Sequence, residues 1–465
     1  MTRRGLCRCL FLAALCNGFL PLRADDQATP VTPPAAGAPA RRPAKLALVL
    51  SGGGARGAAH VGVLKVLQEL RVPVDLVVGT SMGAIAGGLY ATGWSPESLE
   101  RLLLETDFNQ LFSDKVERVD KTFRRKQDDV TFFIPSKLRF KGWVPYLPVS
   151  LLRGQRMDLF FRTLEIQSTG LQDFDRFPIP FRAVATDIAT GEAVVIDHGS
   201  LATSMRASMS VAGVFPPVEY EGRKLIDGGG SANLPVTIAQ DLGAQSIIAV
   251  DITSSVEQGE PDSLSGIIDQ MTIFITARNR AADLARLHPE DVLIQPQLGP
   301  IGFASFDKVR QGIAAGEAAA RSVADKLKRF SVSEEEYARF KARLHTRDPR
   351  ETIVERVILD NTSWVNDRVI LRRLPYPTNQ PLDRVKFQRD IMRLHGLDYF
   401  GVIRPELEAK EGVHEMTLHT PLKAYGRNSL QFGLSLRDDF AGESTYTFAM
   451  RHLLRAANRR GGEWE

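Results

Sequence analysis

At 465 residues the chain is too long for one compact core, and at roughly 150 residues per domain it has room for about three. With 43% hydrophobic and 25% charged residues, its composition is globular and excludes a disordered chain. The formal charge of +4 resides in residues 1–24, which hold Arg3, Arg4, Arg8 and Arg23 and no acid. The remainder is neutral, so charge gives no ground for a nucleic-acid partner.

The same segment holds all three cysteines, Cys7, Cys9 and Cys16. A chain starting after it has no thiol for a disulfide or a metal site. The charged start and the short apolar run Cys9–Cys16 predict a secretory signal over residues 1–24, with Ala24 as the cleavage residue. That run is far below the ~20 residues a membrane helix needs. Thr2-Arg3-Arg4 is a faint twin-arginine pattern, and Leu15 sits where a lipoprotein signal at Cys16 wants a small residue. Residues 25–44 are rich in Pro and Ala and read as a flexible spacer. Export is the expectation.

From residue 45 to 330 short apolar strands alternate with helices, the pattern of a three-layer α/β domain. Lys45–Leu50 is a near-continuous apolar run, as a strand buried on both faces requires. A helix over Ala58–Leu70, a strand at Leu76–Val78 and a helix through Tyr90 follow. Further strands are expected at Phe181–Asp187, Ala193–Ile196 and Ser246–Asp251, and one helix over Asp307–Phe330. Residues 331–350 read as a charged helical connector. Residues 351–425 read as a small α+β module: a strand at Thr352–Leu359, helices near Asn366–Leu374 and Asp383–Leu394, and strands at Gly401–Glu408 and Glu415–Leu422. Beyond Gly426, Leu430, Phe432, Leu434 and Leu436 alternate with polar residues, as do Tyr446, Phe448 and Met450. Such alternation fits a half-buried or a transmembrane β-strand. About 40 residues hold two or three strands, whereas an outer-membrane barrel needs at least about eight.

Three stretches carry chemistry. Ser51-Gly52-Gly53-Gly54-Ala55-Arg56-Gly57 follows the first strand and opens the first helix, where free backbone N–H groups can hold an anion. Gly52-x-Gly54-x-x-Gly57 also matches a dinucleotide fingerprint, but the acidic residue that should close the next strand is missing, since Asp75 precedes it. No Gly-Lys-Ser/Thr follows, which excludes a phosphate-binding P-loop. Gly79-Thr80-Ser81-Met82-Gly83 is G-x-S-x-G between a strand and a helix, a sharp turn that pushes the serine Oγ out of the sheet. Leu225-Ile226-Asp227-Gly228-Gly229 puts a carboxylate on a tight loop that other backbone can approach. A serine nucleophile needs a base, usually His. His60, His198 and His288 are the histidines of this region, and none lies in a motif.

GGGARG, GTSMG and DGG in this order resemble the patatin-like phospholipases, over roughly residues 45–330. The resemblance implies a lipid acyl hydrolase with Ser81 as nucleophile, Asp227 as its base, and the Gly52-Gly53-Gly54 backbone with Arg56 as oxyanion hole; Gly79 and Gly83 flank the nucleophile elbow. It implies no metal and no cofactor, and a phospholipid membrane as substrate. A carboxylate near pKa 4 is a weak base for a hydroxyl, so Asp227 is expected to be mostly buried. The module at 351–425 resembles a POTRA domain, and residues 426–465 resemble the start of an Omp85-type outer-membrane β-barrel. Signal, patatin domain, POTRA and barrel in that order resemble type V-d autotransporters, which implies a Gram-negative outer membrane. Two alternatives stay open: a translocation or assembly factor whose hydrolase-like domain only binds lipid, and an esterase with a Ser–His–Asp triad. Residues 121–147 interleave Lys121, Arg124, Arg125 and Lys126 with Phe123, Phe132, Phe133 and Trp143. They are expected either to dock on lipid or to form a solvated face over a core-facing stripe.

Overall fold

The computed structural model describes residues 46–113, 115–131, 137–141, 144–146, 150–168, 170–253, 264–344, 353–374, 378–410, 413–423, 427–438 and 444–465. The expected signal and spacer at 1–44 lie outside them, as do Phe132, Phe133 and Trp143.

Eight strands form the main sheet: β1 (Leu46–Leu50), β2 (Leu76–Thr80), β3 (Phe181–Asp187), β4 (Ala193–Ile196), β5 (Val218–Tyr220), β6 (Arg223–Asp227), β7 (Ser246–Val250) and β8 (Val292–Ile294). Their order is β8-β7-β1-β2-β3-β6-β5, with β4 pairing β3 off this path. The five strands from β8 to β3 are parallel, while β4 and β6 run antiparallel to β3. Alternation along β1 explains why it reads as one apolar run. Leu46, Leu48 and Leu50 enter one core, and Ala47 and Val49 enter a second on the opposite face. Helix α1 (Ala58–Glu69) packs in the first core with the long helix Val309–Ser322, and the sheet thereby becomes the middle of three layers. Gly62 and Gly316 let these two helices touch, since a Cβ at Gly62 would sit 2.0 Å from the Ile313 carbonyl oxygen.

The single helix expected over Asp307–Phe330 is two, Val309–Ser322 and Ala324–Lys328, broken at Val323 where φ −113° and ψ 18° leave the helical region. Helices Pro96–Glu105, Gln155–Glu165, Leu201–Ser208 and Leu264–Leu284 extend the fold. The first had a legible start: Ser95 accepts a 3.2 Å hydrogen bond from the Ser98 amide, and Pro96 stands at the first helical position.

In the C-terminal part the expected strand Thr352–Leu359 is two short ones. Ile353–Val354 pairs with Gln380–Pro381, and Arg356–Asp360 with Val413–His419. The latter, with Arg404–Lys410, makes a three-stranded mixed sheet whose core receives helices Asp367–Leu371 and Arg384–His395. Asn428–Asp438 and Ser444–Leu454 form an antiparallel hairpin. Against it runs Lys137–Lys141, so the basic, aromatic insertion reaches the far end of the chain. Its arginines are internally engaged. Arg124 pairs with Glu463 (3.3 Å) and Glu465, and Arg125 with Glu463 and the Leu397 carbonyl (3.2 Å). Both arginines are thus held by carboxylates at the end of the chain.

Candidate active site

The turn from β2 into α2 (Met82–Ala91) holds Ser81 at φ 54° and ψ −120°, a conformation a non-glycine residue keeps only where its surroundings impose it. Those surroundings are specific. The Ser81 amide donates 2.8 Å to Ser208 Oγ, which in turn donates 2.5 Å to the Val184 carbonyl on β3. The Thr80 hydroxyl donates 2.7 Å to the Ala232 carbonyl. Gly79 and Gly83 are required by contact: a Cβ at Gly79 would lie 2.4 Å from the Gly83 oxygen, and one at Gly83 would lie 2.2 Å from that of Leu50.

Ser81 Oγ donates to Asp227 Oδ2 at 2.7 Å. Asp227 closes β6, and its other oxygen accepts the Gly229 amide at 2.8 Å. Gly228 lets β6 end against β3, because a Cβ there would stand 2.2 Å from the Val184 oxygen. Desolvation pushes the Asp227 carboxyl up to about 6, opposed by the hydrogen bonds from Ser81 and Gly229. Asp227 is mostly buried, as expected, with one side on the small cleft.

The glycine loop lies beside this pair. The Gly52 amide is already donated to the Asn233 carbonyl (3.2 Å), and that of Ala55 to Phe303 (2.8 Å). The amides of Gly53 and Gly54 are the donors the loop retains. Arg56 is buried, and its Nε donates to the Gly53 carbonyl at 3.1 Å. Because a trans peptide points its C=O and N–H in opposite directions, this contact fixes the direction of the Gly54 N–H. Asn233, which no motif flagged, donates Nδ2 to Thr253 Oγ1 (3.0 Å) and, through its carbonyl, ties the segment after β7 to the glycine loop.

The histidines stand apart. His60 is fully buried in α1, with Nε2 2.9 Å from the Ser51 carbonyl, and desolvation lowers its pKa to about 4, so it is neutral and holds the loop as a donor. His198 is exposed between Asp197 (2.7 Å) and Glu221 (2.8 Å). His288 is exposed, 3.8 Å from Asp291.

Ser81 also opens on a cavity of about 550 Å³ lined by Met82, Ile85, Phe108, Phe112, Phe161 and Phe215 among others. Phe108 stacks on Phe306 at 4.3 Å to form part of its wall. Its size and apolar lining suit a small-molecule or acyl-chain ligand. Among the described residues no cluster of His, Cys, Asp and Glu has the makings of a metal site.

Residues 48–239 match the family model of patatin-like phospholipases. The chain is 35% identical over 243 residues to lysophospholipase NTE1 of Mycosarcoma maydis, a match covering 52% of this chain and 11% of that protein. It is 35% identical over 226 residues to patatin-like phospholipase domain-containing protein 6 of Mus musculus, covering 48% and 15%. The chain thus spans under a sixth of the length of these relatives. VipD from Legionella pneumophila aligns over 61% of this chain and 67% of its own at 15% identity, with a TM-score of 0.36, too low to add to the sequence match. The glycine loop and the serine elbow fall within the matched residues, as does Asp227, and the chain carries a patatin-like phospholipase domain, a hydrolase domain of the patatin type.

Proposed function

We propose that the protein is a lipid acyl hydrolase that cleaves carboxylic esters of glycerophospholipids through a Ser81–Asp227 dyad. The observation that carries this reading is the 2.7 Å hydrogen bond from Ser81 Oγ to Asp227, at a strained elbow that faces an apolar cavity. Ser81 Oγ attacks the ester carbonyl as its proton passes to Asp227. The resulting oxyanion is received by the Gly53 and Gly54 amides, each worth about 3–4 kcal/mol by comparison with measured oxyanion donors. Collapse expels the lyso-lipid alkoxide, which takes the proton from Asp227 and leaves an acyl-Ser81 ester. Water, deprotonated by Asp227, then releases the fatty acid. A base with a pKa of about 6 is ionised at neutral pH and stronger than an ordinary carboxylate.

The proposal extends to the whole chain: a signal over 1–24, a linker over 25–44, the hydrolase over 45–330, a connector over 331–350, a POTRA-like module over 351–425, and from 426 to 465 strands of an outer-membrane barrel. The mixed sheet and two helices of the module support it, as do the two 11-residue hairpin strands, near the 9–11 residues that span a bilayer. Phe448 and Met450 are exposed on one face of the second strand, as a lipid-facing strand requires. Recovery of the full chain in the cytoplasm rather than in an outer-membrane fraction would overturn that extension.

The enzymatic proposal is tested by fatty-acid release from phospholipid without added metal. The parent should be active and folded Ser81→Ala and Asp227→Asn inactive, by at least about 1,000-fold. Activity that survives Ser81→Ala contradicts it.

A further inference from the structure

Helix Leu264–Leu284 has two faces with different duties. Its inner face is bolted to the catalytic loops. Asn279 Nδ2 donates 2.9 Å to the Gly229 carbonyl, and its Oδ1 accepts the Asn233 amide at 3.3 Å. Asp283 accepts both the amide (3.1 Å) and the hydroxyl (2.7 Å) of Thr237. Ile273 and Thr276, on the same inner face, line the small cleft that contains Ser81 and Asp227. The helix is one wall of the cleft.

Its outer face is apolar and uncovered. Ile267, Met271, Phe274 and Ile275 are 43%, 56%, 60% and 54% exposed. Their spacing is i, i+4, i+7 and i+8, one stripe of a helix. Further along the same face comes exposed Arg278. Among the described residues that face shows no exposed carboxylate, since Asp283 is turned inward. Four bulky apolar side chains in a row, continued by exposed Arg278, complement an anionic lipid surface. The apolar stripe enters the acyl boundary and Arg278 meets the headgroups.

We propose that the outer face of helix Leu264–Leu284 is a docking surface for an anionic phospholipid bilayer and sets the catalytic cleft at the membrane interface. This rests on the lipid-hydrolase reading of the site. The inner face fixes the helix to Gly229 and Asn233, so docking this helix places Ser81 and Asp227 beside the bilayer without a rearrangement. None of Met271, Phe274 or Ile275 lines either cavity, so they are free of the catalytic machinery.

The test compares the full chain with the double variant Phe274→Asp/Ile275→Asp and with Arg278→Glu. Flotation is measured with vesicles of phosphatidylglycerol and phosphatidylethanolamine, and with phosphatidylcholine alone. Hydrolysis is measured on the same vesicles and on a monomeric short-chain ester, and thermal melting checks folding. The expected result is a loss of about tenfold in the vesicle-bound fraction and in vesicle hydrolysis for the double variant, with ester hydrolysis unchanged. Arg278→Glu should lose binding to the anionic vesicles only. Unchanged flotation of both variants overturns the proposal. So does unchanged flotation with a shift from dimer to monomer, which would make the face a contact between two copies. Absent ester hydrolysis by the parent would refute the enzymatic reading, while flotation would still report on docking.

Discussion

In the proposed dyad Asp227 has to be two things, a base strong enough to take a hydroxyl proton and a charge tolerated against the sheet. Its position on an open-sided cleft reconciles them. Enough water is excluded to push the carboxyl up to about 6, and the Gly229 amide and the Ser81 hydroxyl keep it from rising further. Two consequences follow from the same shift. Since the ionised form is the base, log kcat/KM should fall with a slope of about one per pH unit below about 6 and be flat above; a midpoint near 4 would show that the carboxylate is not desolvated. The folded pKa also lies above the unfolded 3.8, so the native state binds more protons than the unfolded one between about pH 4 and 6, and stability falls as pH rises through that window. Asp227→Asn should therefore raise the unfolding free energy by about 1–3 kcal/mol above pH 6 and by nothing at pH 4. Chemical denaturation at both pH values reads this out, and equal gains at both would contradict it.

At the scale of elements, the site is a product of close backbone approach. β1, β2 and α2 meet so tightly at the elbow that Gly83 faces the Leu50 carbonyl with no room for a Cβ. Gly83→Ala should cost about 1–3 kcal/mol and reduce kcat far more than KM, because the displaced backbone carries Ser81. An active, fully stable variant would show that the elbow is less constrained than this. The elements that build the site were legible in the sequence because their chemistry is local. Gly54, Gly79, Gly83 and Gly228 each mark a turn or contact that only glycine allows, next to the residue it serves. What was not legible depends on distant partners. Arg124 and Arg125 look like free cations in a basic stretch, but their carboxylates lie 341 and 338 residues further along. Ser208 reads as one small residue in a helix, and only the fold brings its hydroxyl under the Ser81 amide. The exposed stripe of Leu264–Leu284 gave no signal either, since an apolar helix face is ordinarily buried.

Across the whole molecule, helix Gln155–Glu165 joins the hydrolase to the C-terminal module. Met157, Phe160 and Phe161 line the acyl-sized cavity, while Leu159 sits in the core of the module. The buried Gln155 side chain donates to the Ile403 carbonyl (2.8 Å) and accepts its amide (2.7 Å). A wall of the cavity is thus shared with a module whose contact residue, Ile403, lies 248 residues on in sequence. Gln155→Ala removes both bonds and leaves two buried backbone groups without them, a loss of about 2–3 kcal/mol. Faster hydrogen exchange at Ile403 and across Arg404–Lys410 is the expected readout, and unchanged protection would show that the module does not depend on this contact.

The measurement closest to the central claim is covalent labelling of the full chain with a fluorophosphonate, followed by mass spectrometry of the adduct. The dyad predicts a single adduct on Ser81, no adduct in Ser81→Ala, labelling slowed by at least about 100-fold in Asp227→Asn, and parent rates in His198→Ala and His288→Ala. An adduct on another residue, or labelling of Asp227→Asn at the parent rate, would contradict a serine activated by Asp227.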